Sequence, residues 1–183
     1  MSIEETPLYQ ILNTKYDLSK EYFAIGILAE NPNLANVEWR CPKGIENPFI
    51  ERSTILHYAS NDGKIELMEK LIELGANVNA DQAHWYATPL SWAANNASIP
   101  AIKLLLANGA SPTSLHAMHA VACGGSSCGK KNPDNYVAAT KLLIESGADL
   151  NDIREPGKKT PYQTAISSGN TPVAEFLKSQ GAI

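Results

Sequence analysis

The segment TILHYASNDGKIELMEKLIELGANVNA (54–80) decides the fold, because the chain repeats it as TPLSWAANNASIPAIKLLLANGASPT (88–113). The two segments begin with the same threonine, and they share leucine, alanine and glycine positions at one constant offset. The last segment, TPYQTAISSGNTPVAEFLKSQGAI (160–183), follows the same pattern. Self-similarity at a fixed period of this size is typical of an array of short structural units stacked side by side.

Each unit has the sequence of two short antiparallel helices followed by a projecting hairpin. The threonine at its head accepts backbone N–H bonds as a helix cap, and a proline after it needs no N–H partner. The second helix has apolar residues at helical spacing, such as Ile65, Met68 and Leu71. Gly63 permits the turn between the helices, and Gly75 ends the second helix in the left-handed conformation.

These residues resemble the ankyrin repeat, whose motif is T-P-L-H-x-A followed by L-L-x-x-G-A-x-x-N. TILHYA with LIELGANVN is close to that motif. The resemblance implies an all-α solenoid of about five helix-turn-helix repeats with projecting β-hairpin or finger loops, in a single domain over 1–183. It also implies a protein-binding role without catalysis and without a cofactor. The predicted divisions are a degenerate N-terminal capping repeat (1–36), a long first finger (37–53), a repeat (54–80), a finger and repeat (81–113), a repeat with an insertion (114–151), and a finger with the C-terminal capping repeat (152–183).

The N-terminal repeat is expected to be degenerate, since a cap has a neighbour on one side only. TPLYQILN (6–13) predicts its first helix and SKEYFAIGILAE (19–30) its second. Asn31 takes the place of the helix-ending glycine, and asparagine is the second choice for the left-handed conformation.

The stretch HAMHAVACGGSSCGKKNPDN (116–135) contains the insertion. KLLIESGADLN (141–151) ends a second helix, so HAMHAVA is the first helix of that repeat, and CGGSSCGKKNPDN is its turn, longer than elsewhere by about ten residues. Within the turn, Ser127 lies in G-x-S-x-G, the nucleophile elbow of hydrolases. That motif requires a strand before the serine, whereas here a helix precedes it. A small hydrolase using Ser127 is therefore a remote alternative.

Four possible zinc ligands lie in the same stretch: His116, His119, Cys123 and Cys128. The first three share one face of a helix, which leaves a zinc-binding or redox role as the second hypothesis. The competing interpretation is that His119 occupies the histidine position of the repeat, where the family's side chain bonds backbone and braces the next loop.

The prediction for partner binding rests on aromatic and polar residues at finger tips and on the first helices. Three consecutive rings at a finger tip, in DQAHWYAT (81–88), are typical of an interface anchor. The alternatives are that Trp85 folds back onto the first finger, that Tyr58 and Trp92 only pack neighbouring helices, and that the asparagines are solvated. The predicted partner-binding residues are Trp39, Arg40, Phe49, Glu51, Tyr58, Asn61, Asp62, His84, Trp85, Tyr86, Trp92, Asn95 and Asn96.

Composition limits the kind of partner. A net charge of −4 argues against nucleic acid, which would require a basic face. No apolar run approaches the roughly 20 residues that span a bilayer, and MSIEETPLYQ lacks the features of a secretion signal. Three cysteines in such a chain predict reduced thiols. We therefore expect a cytoplasmic monomer that binds another protein, although a protein delivered to a host by a specialised secretion system would have the same features.

Overall fold

A computed structural model describes residues 18–38, 52–81, 87–114, 116–124, 132–154 and 158–183. The described residues form helices and turns, and no strand is assigned among them. The helices are α1 (Leu18–Glu30), a 3-10 turn (Pro32–Asn36), α2 (Ile55–Asp62), α3 (Ile65–Glu73), α4 (Pro89–Asn95), α5 (Ile99–Ala107), α6 (Ala117–Cys123), α7 (Pro133–Glu145), α8 (Pro161–Ser167) and α9 (Thr171–Ser179).

From α2 onwards the helices form pairs, and the pairs stack side by side. The first helices make one layer, in which α2 packs on α4, α4 on α6 and α6 on α8. The second helices make the other layer, which runs from α1 through α3, α5 and α7 to α9. Small buried residues such as Ala59, Ala93 and Ala165 let the two layers approach closely, and Leu71, Leu105 and their equivalents fill the space between them. The predicted all-α repeat architecture is confirmed.

The expected threonine caps are present. Thr88 and Thr160 have extended backbones, and their hydroxyl oxygens accept the N–H groups of Ser91 and Gln163 at 3.4 and 3.3 Å. Thr54 is also extended at the start of α2, where its N–H donates to His57 Nδ1 at 3.1 Å. These local bonds fix the starts of α2, α4 and α8, since they satisfy N–H groups that have no partner inside the helix.

The glycines that end the second helices are left-handed, with φ of +80° at Gly75, +86° at Gly109, +98° at Gly147 and +90° at Gly181. At Gly75 the following N–H of Ala76 donates to the carbonyl of Leu71 at 2.9 Å, which satisfies a carbonyl at the helix end. The sequence prediction for these positions is confirmed.

Gly75→Ala should lower the free energy of unfolding by about 1 to 2 kcal/mol. A Cβ at Gly75 would meet no atom within 4 Å, so the whole cost is backbone strain at positive φ. Urea unfolding measures it, with Gly26→Ala as the matched control. Gly26 also has open space, lies inside α1 and has no positive φ, so its change to alanine should stabilise the protein by about 0.5 to 1 kcal/mol. Equal effects at both glycines would contradict the left-handed cap.

The prediction for Asn31 is wrong. Its φ is −134°, not positive, and it precedes the 3-10 turn that begins at Pro32. A proline restricts the residue before it to extended backbone, which removes the left-handed option. Asn31 caps α1 in another way, because both its backbone N–H and its side-chain Nδ2 donate to the carbonyl of Ile27, at 2.9 and 3.1 Å.

The insertion between α6 and α7 ends earlier in the chain than the sequence predicted. Pro133, Asp134 and Asn135, taken as part of the turn, form the first turn of α7. The reason lies in the local sequence: the Asn132 side chain accepts the N–H of Asp134 at 3.0 Å, proline follows at the first position, and Asp134 places a negative charge at the N-terminus. Helix α7 therefore has 13 residues where α3 has 9.

His116 stands at the head of α6, as predicted, but in a different conformation from the threonines. Its φ is +75°, and its side chain makes no capping bond to the helix. The chain thus enters α6 through a left-handed residue, where α2, α4 and α8 begin after an extended threonine.

Candidate functional site

Six of the predicted partner-binding residues lie within the described residues, and they come together on α2 and α4. We call this surface the α2–α4 face, and its residues are Tyr58, Asn61, Asp62, Trp92, Asn95 and Asn96. Asp62 is exposed and the others are half-buried. Both helices end at this surface, so the polar residues of the face follow the aromatic ones by about one helical turn.

The aromatic part of the face is a pair of rings. Tyr58 and Trp92 meet edge to face, with ring centroids 5.3 Å apart and planes at 70°. Such a pair contributes about 0.5 to 1.5 kcal/mol beyond the area it buries. The interpretation that these rings pack neighbouring helices therefore holds, while each ring also keeps part of its surface open to solvent.

The polar part is a short chain of side-chain amides. Asn96 Nδ2 donates to Asn61 Oδ1, and Asn61 Nδ2 donates to Asp62 Oδ1 at 2.8 Å. The first of these bonds joins the end of α4 to α2, so the amides are held in fixed positions. Asp62 is the one Asp, Glu, Lys or Arg in the four first helices α2, α4, α6 and α8. The face therefore combines ordered hydrogen-bonding groups with very little charge.

His57 lies directly beneath the face and was missed by the sequence reasoning. It is fully buried, and its ring meets Trp92 edge to face at 5.5 Å. Burial lowers the pKa of His57 to about 4, against hydrogen bonds to the carbonyls of Ala87 and Ala80 that act in the opposite direction. The imidazole is therefore neutral at neutral pH. The signal in the sequence was the histidine of the TILHYA motif, which holds the same place in its repeat as His119 does in a later one.

The bases of the first two fingers are joined by an ionic cluster. Arg52 donates to both carboxylate oxygens of Glu38, at 3.1 and 3.2 Å, and lies 3.8 Å from Asp81. The side chain of Arg52 is 42% exposed, that of Glu38 33% and that of Asp81 54%. Each ion pair therefore contributes little to stability. The cluster does, however, join the bases of the two fingers. Glu38 and Arg52 lie at the two ends of the first finger, and Asp81 begins the second.

Seven predicted partner-binding residues lie outside the described residues, and for them the prediction stays untested. The same is true of the suggestion that Trp85 folds back onto the first finger. The seven are Trp39, Arg40, Phe49, Glu51, His84, Trp85 and Tyr86.

The four possible zinc ligands are in part accounted for by other contacts. His119 is buried, its Nε2 lies 3.0 Å from the carbonyl of Asp152, and its Nδ1 lies 3.1 Å from Thr164 Oγ1. Both ring nitrogens are thus used to brace the next repeat, as the histidine position implies. Cys123 is exposed, with Sγ 3.3 Å from Ser168 Oγ. Within the described ranges no group of three His, Cys, Asp or Glu is arranged to hold a metal ion. Cys128 lies outside those ranges, as does Ser127 of the hydrolase motif.

Asparagines at the finger bases join successive repeats, and the sequence reasoning overlooked them. Asn36 Nδ2 donates to the carbonyl of Gly75 at 2.8 Å, and its Oδ1 accepts the N–H of Asn77 at 2.7 Å. Asn79 makes the same two bonds to Gly109 and Ser111, at 2.9 and 2.8 Å. The final Asn of the repeat motif was the available signal. The same two-bond bridge thus recurs between successive repeats.

The last finger is also braced by an arginine. Arg154 Nη2 donates to the carbonyl of Thr113 at 2.8 Å and to Asp152 Oδ2 at 2.6 Å. The Arg154 guanidinium lowers the pKa of Asp152. Arg154 thus reaches Thr113, the residue that takes the Asn79 place in the next repeat.

Among the helices of the described ranges, none combines the length and the apolar character that crossing a bilayer requires.

Comparisons with known proteins agree with this architecture. A family model described as ankyrin repeats (3 copies) matches residues 25–116. Palmitoyltransferase Hip14 of Drosophila melanogaster is 32% identical over 87 residues, which is 48% of this chain and 13% of that protein. Palmitoyltransferase ZDHHC13 of Mus musculus is 33% identical over 69 residues, or 38% of this chain and 11% of that protein. The chain thus matches only a small part of the length of these relatives.

Proposed function

Because the chain belongs to the ankyrin-repeat family, we propose that it is a non-catalytic module that binds a partner protein across the α2–α4 face and the neighbouring fingers. Ankyrin repeats are in general protein-interaction modules. The observation that carries the more specific proposal is the ordered α2–α4 face, where partly open aromatic rings lie beside fixed amides. Aromatic anchors surrounded by polar groups are typical of binding hot spots.

The face has almost no charged side chains, which favours a partner that is recognised by shape and hydrogen bonds. Asp62 is the one fully charged residue of α2, α4, α6 and α8, the first helices that the structure describes, so electrostatic steering contributes little there. Binding should accordingly depend weakly on salt, since screening acts on charges. We propose a cytoplasmic monomer with no cofactor and no contact with nucleic acid or membrane. The palmitoyl transfer named for the matched relatives is not carried over, because the match covers so little of each enzyme.

Site-specific photo-crosslinking tests the proposal. A photoreactive phenylalanine derivative would replace Asp62 on the face, and in a second variant Lys103, an exposed residue of α5 in the opposite layer. After irradiation in a lysate of the source organism, we expect a discrete crosslinked protein from position 62 and none from position 103. Equal products from both positions, or none from position 62, would contradict binding at this face.

Trp92→Ala should weaken binding of the crosslinked partner by about 2 kcal/mol, if Trp92 anchors it as a hot-spot residue does. The variant removes the larger ring of the Tyr58–Trp92 pair, so its folding must first be verified by circular dichroism. Ile166→Ala is the matched control, since Ile166 is an exposed apolar residue of α8, 58% accessible and away from the face. An affinity unchanged by Trp92→Ala, measured by calorimetry with the purified partner, would exclude Trp92 as the anchor.

A further inference from the structure

The two contacts of His57 with the next repeat reach the two parts of the proposed binding surface. One contact is to the ring of Trp92 on the face, at 5.5 Å. The other is to the carbonyl of Ala87, the residue between the 82–86 finger segment and the cap of α4, at 3.1 Å from Nε2. His57 thus lies between the aromatic ring of the face and the base of the second finger.

The proton positions of His57 follow from its partners. The backbone N–H of Thr54 donates to Nδ1 at 3.1 Å, so Nδ1 must be unprotonated. Nε2 then carries the hydrogen and donates to the Ala87 carbonyl. Because both nitrogens are occupied, the ring is held in one orientation, at 71° to the plane of Trp92.

The chain contains a natural comparison at the same register. His119 in α6 also approaches a finger carbonyl with Nε2, that of Asp152 at 3.0 Å. At the place where His57 meets Trp92, however, His119 meets Thr164, with Nδ1 3.1 Å from its hydroxyl oxygen. Both histidines therefore brace a finger, but His57 in addition contacts a large ring that is partly open to solvent.

We propose that His57 is a positioning residue for partner binding: it fixes the orientation of the Trp92 ring and ties that ring to the base of the second finger. The inference rests on the proposed function for its biological meaning, while its physical content concerns His57, Trp92 and Ala87 alone. His57 itself is fully buried, so its effect on a partner would act through Trp92 and the finger base.

Fluorescence of Trp92 tests the positioning without a partner. Trp39→Phe and Trp85→Phe leave Trp92 as the single tryptophan of the three in the chain. In this background His57→Asn retains an acceptor for the Thr54 N–H, and His57→Gln retains a donor for the Ala87 carbonyl, but neither retains the ring. His119→Asn is the matched control, because it removes the equivalent brace in another repeat.

The expected result separates positioning from stability. All three histidine variants should unfold at lower urea concentration, but only the two His57 variants should raise the acrylamide quenching of Trp92 and weaken its near-ultraviolet circular dichroism in the folded state. Unchanged Trp92 signals in folded His57→Asn and His57→Gln would overturn the proposal. A change of the same size in His119→Asn would overturn it as well, since the effect would then be a general loosening.

Partner binding provides the second readout. With the partner crosslinked at position 62, His57→Gln should weaken affinity by about three- to tenfold, the equivalent of losing one aromatic contact, while His119→Asn should leave it nearly unchanged. Unaltered affinity in His57→Gln would refute a role in binding. If the wild type captures no partner, the proposed function fails, and the Trp92 signals still decide whether His57 positions the ring.

Discussion

Acidification should remove about 3 kcal/mol of folding free energy through His57 alone, as pH falls from the ordinary histidine pKa of 6.5 to about 4. In the unfolded chain the imidazole takes up its proton near the ordinary value, whereas burial in the folded chain delays protonation to about pH 4. Between these values the unfolded state holds more protons, so stability is complete above the window and declines as pH falls through it.

Urea unfolding of the wild type and of His57→Gln, across the window from about pH 7 to about pH 4, measures this contribution. Glutamine does not titrate, so the stability difference between the two proteins should shrink by about 3 kcal/mol on acidification. Asp152 does not confuse the result, because Arg154 lowers its pKa and its contribution is lost only below the ordinary range of a carboxyl group. Parallel stability curves for the two proteins would show that His57 is not held neutral by burial.

Gly124→Ala should destabilise the protein by about 2 to 3 kcal/mol, near the upper end for overpacking a core. A Cβ on Gly124 would lie 2.1 Å from Cε1 and 2.7 Å from Cδ1 of Tyr136. The ring cannot easily withdraw, because Tyr136 is only 2% exposed and its hydroxyl donates to the carbonyl of Asn95 at 3.4 Å. The backbone of Gly124, with φ −55° and ψ 143°, suits any residue, so the cost is purely steric.

A double-mutant cycle isolates that steric cost. In a Tyr136→Leu background the ring atoms that oppose the new Cβ are absent, so Gly124→Ala should cost less than about 1 kcal/mol there. Thermal or urea unfolding of the four proteins gives the coupling free energy. If Gly124→Ala costs the same in both backgrounds, the contact between Gly124 and Tyr136 is not what the glycine preserves.

The helix pairs and their ends were predictable because each depends on a few neighbouring residues. A threonine with proline after it starts α4, and a glycine in the left-handed conformation ends α5 and its equivalents, wherever the letters recur. The two predictions that were wrong, for Asn31 and for the start of α7, also failed because of neighbouring residues. Pro32 removes the left-handed conformation from Asn31, and Asn132 with Pro133 starts α7 one turn earlier than the repeat pattern suggests.

The described part of the candidate site was predictable only as a list of positions on the first helices. Tyr58, Asn61, Trp92 and Asn96 were identified from their places in the repeat, yet their mutual contacts were not. Those contacts join residues about one repeat apart in the chain, so they depend on how closely and at what angle α2 and α4 pack.

By itself the sequence determined the repeat, the helices and their caps, since chirality and short-range hydrogen bonds act within a few residues. Only the tertiary structure decided which side chain each buried histidine meets on the neighbouring first helix. His57 and His119 hold the same place in the repeat, but one meets Trp92 and the other Thr164. The reason is that the side chain opposite each histidine comes from the neighbouring repeat, and only the stacking of the helices brings the two together.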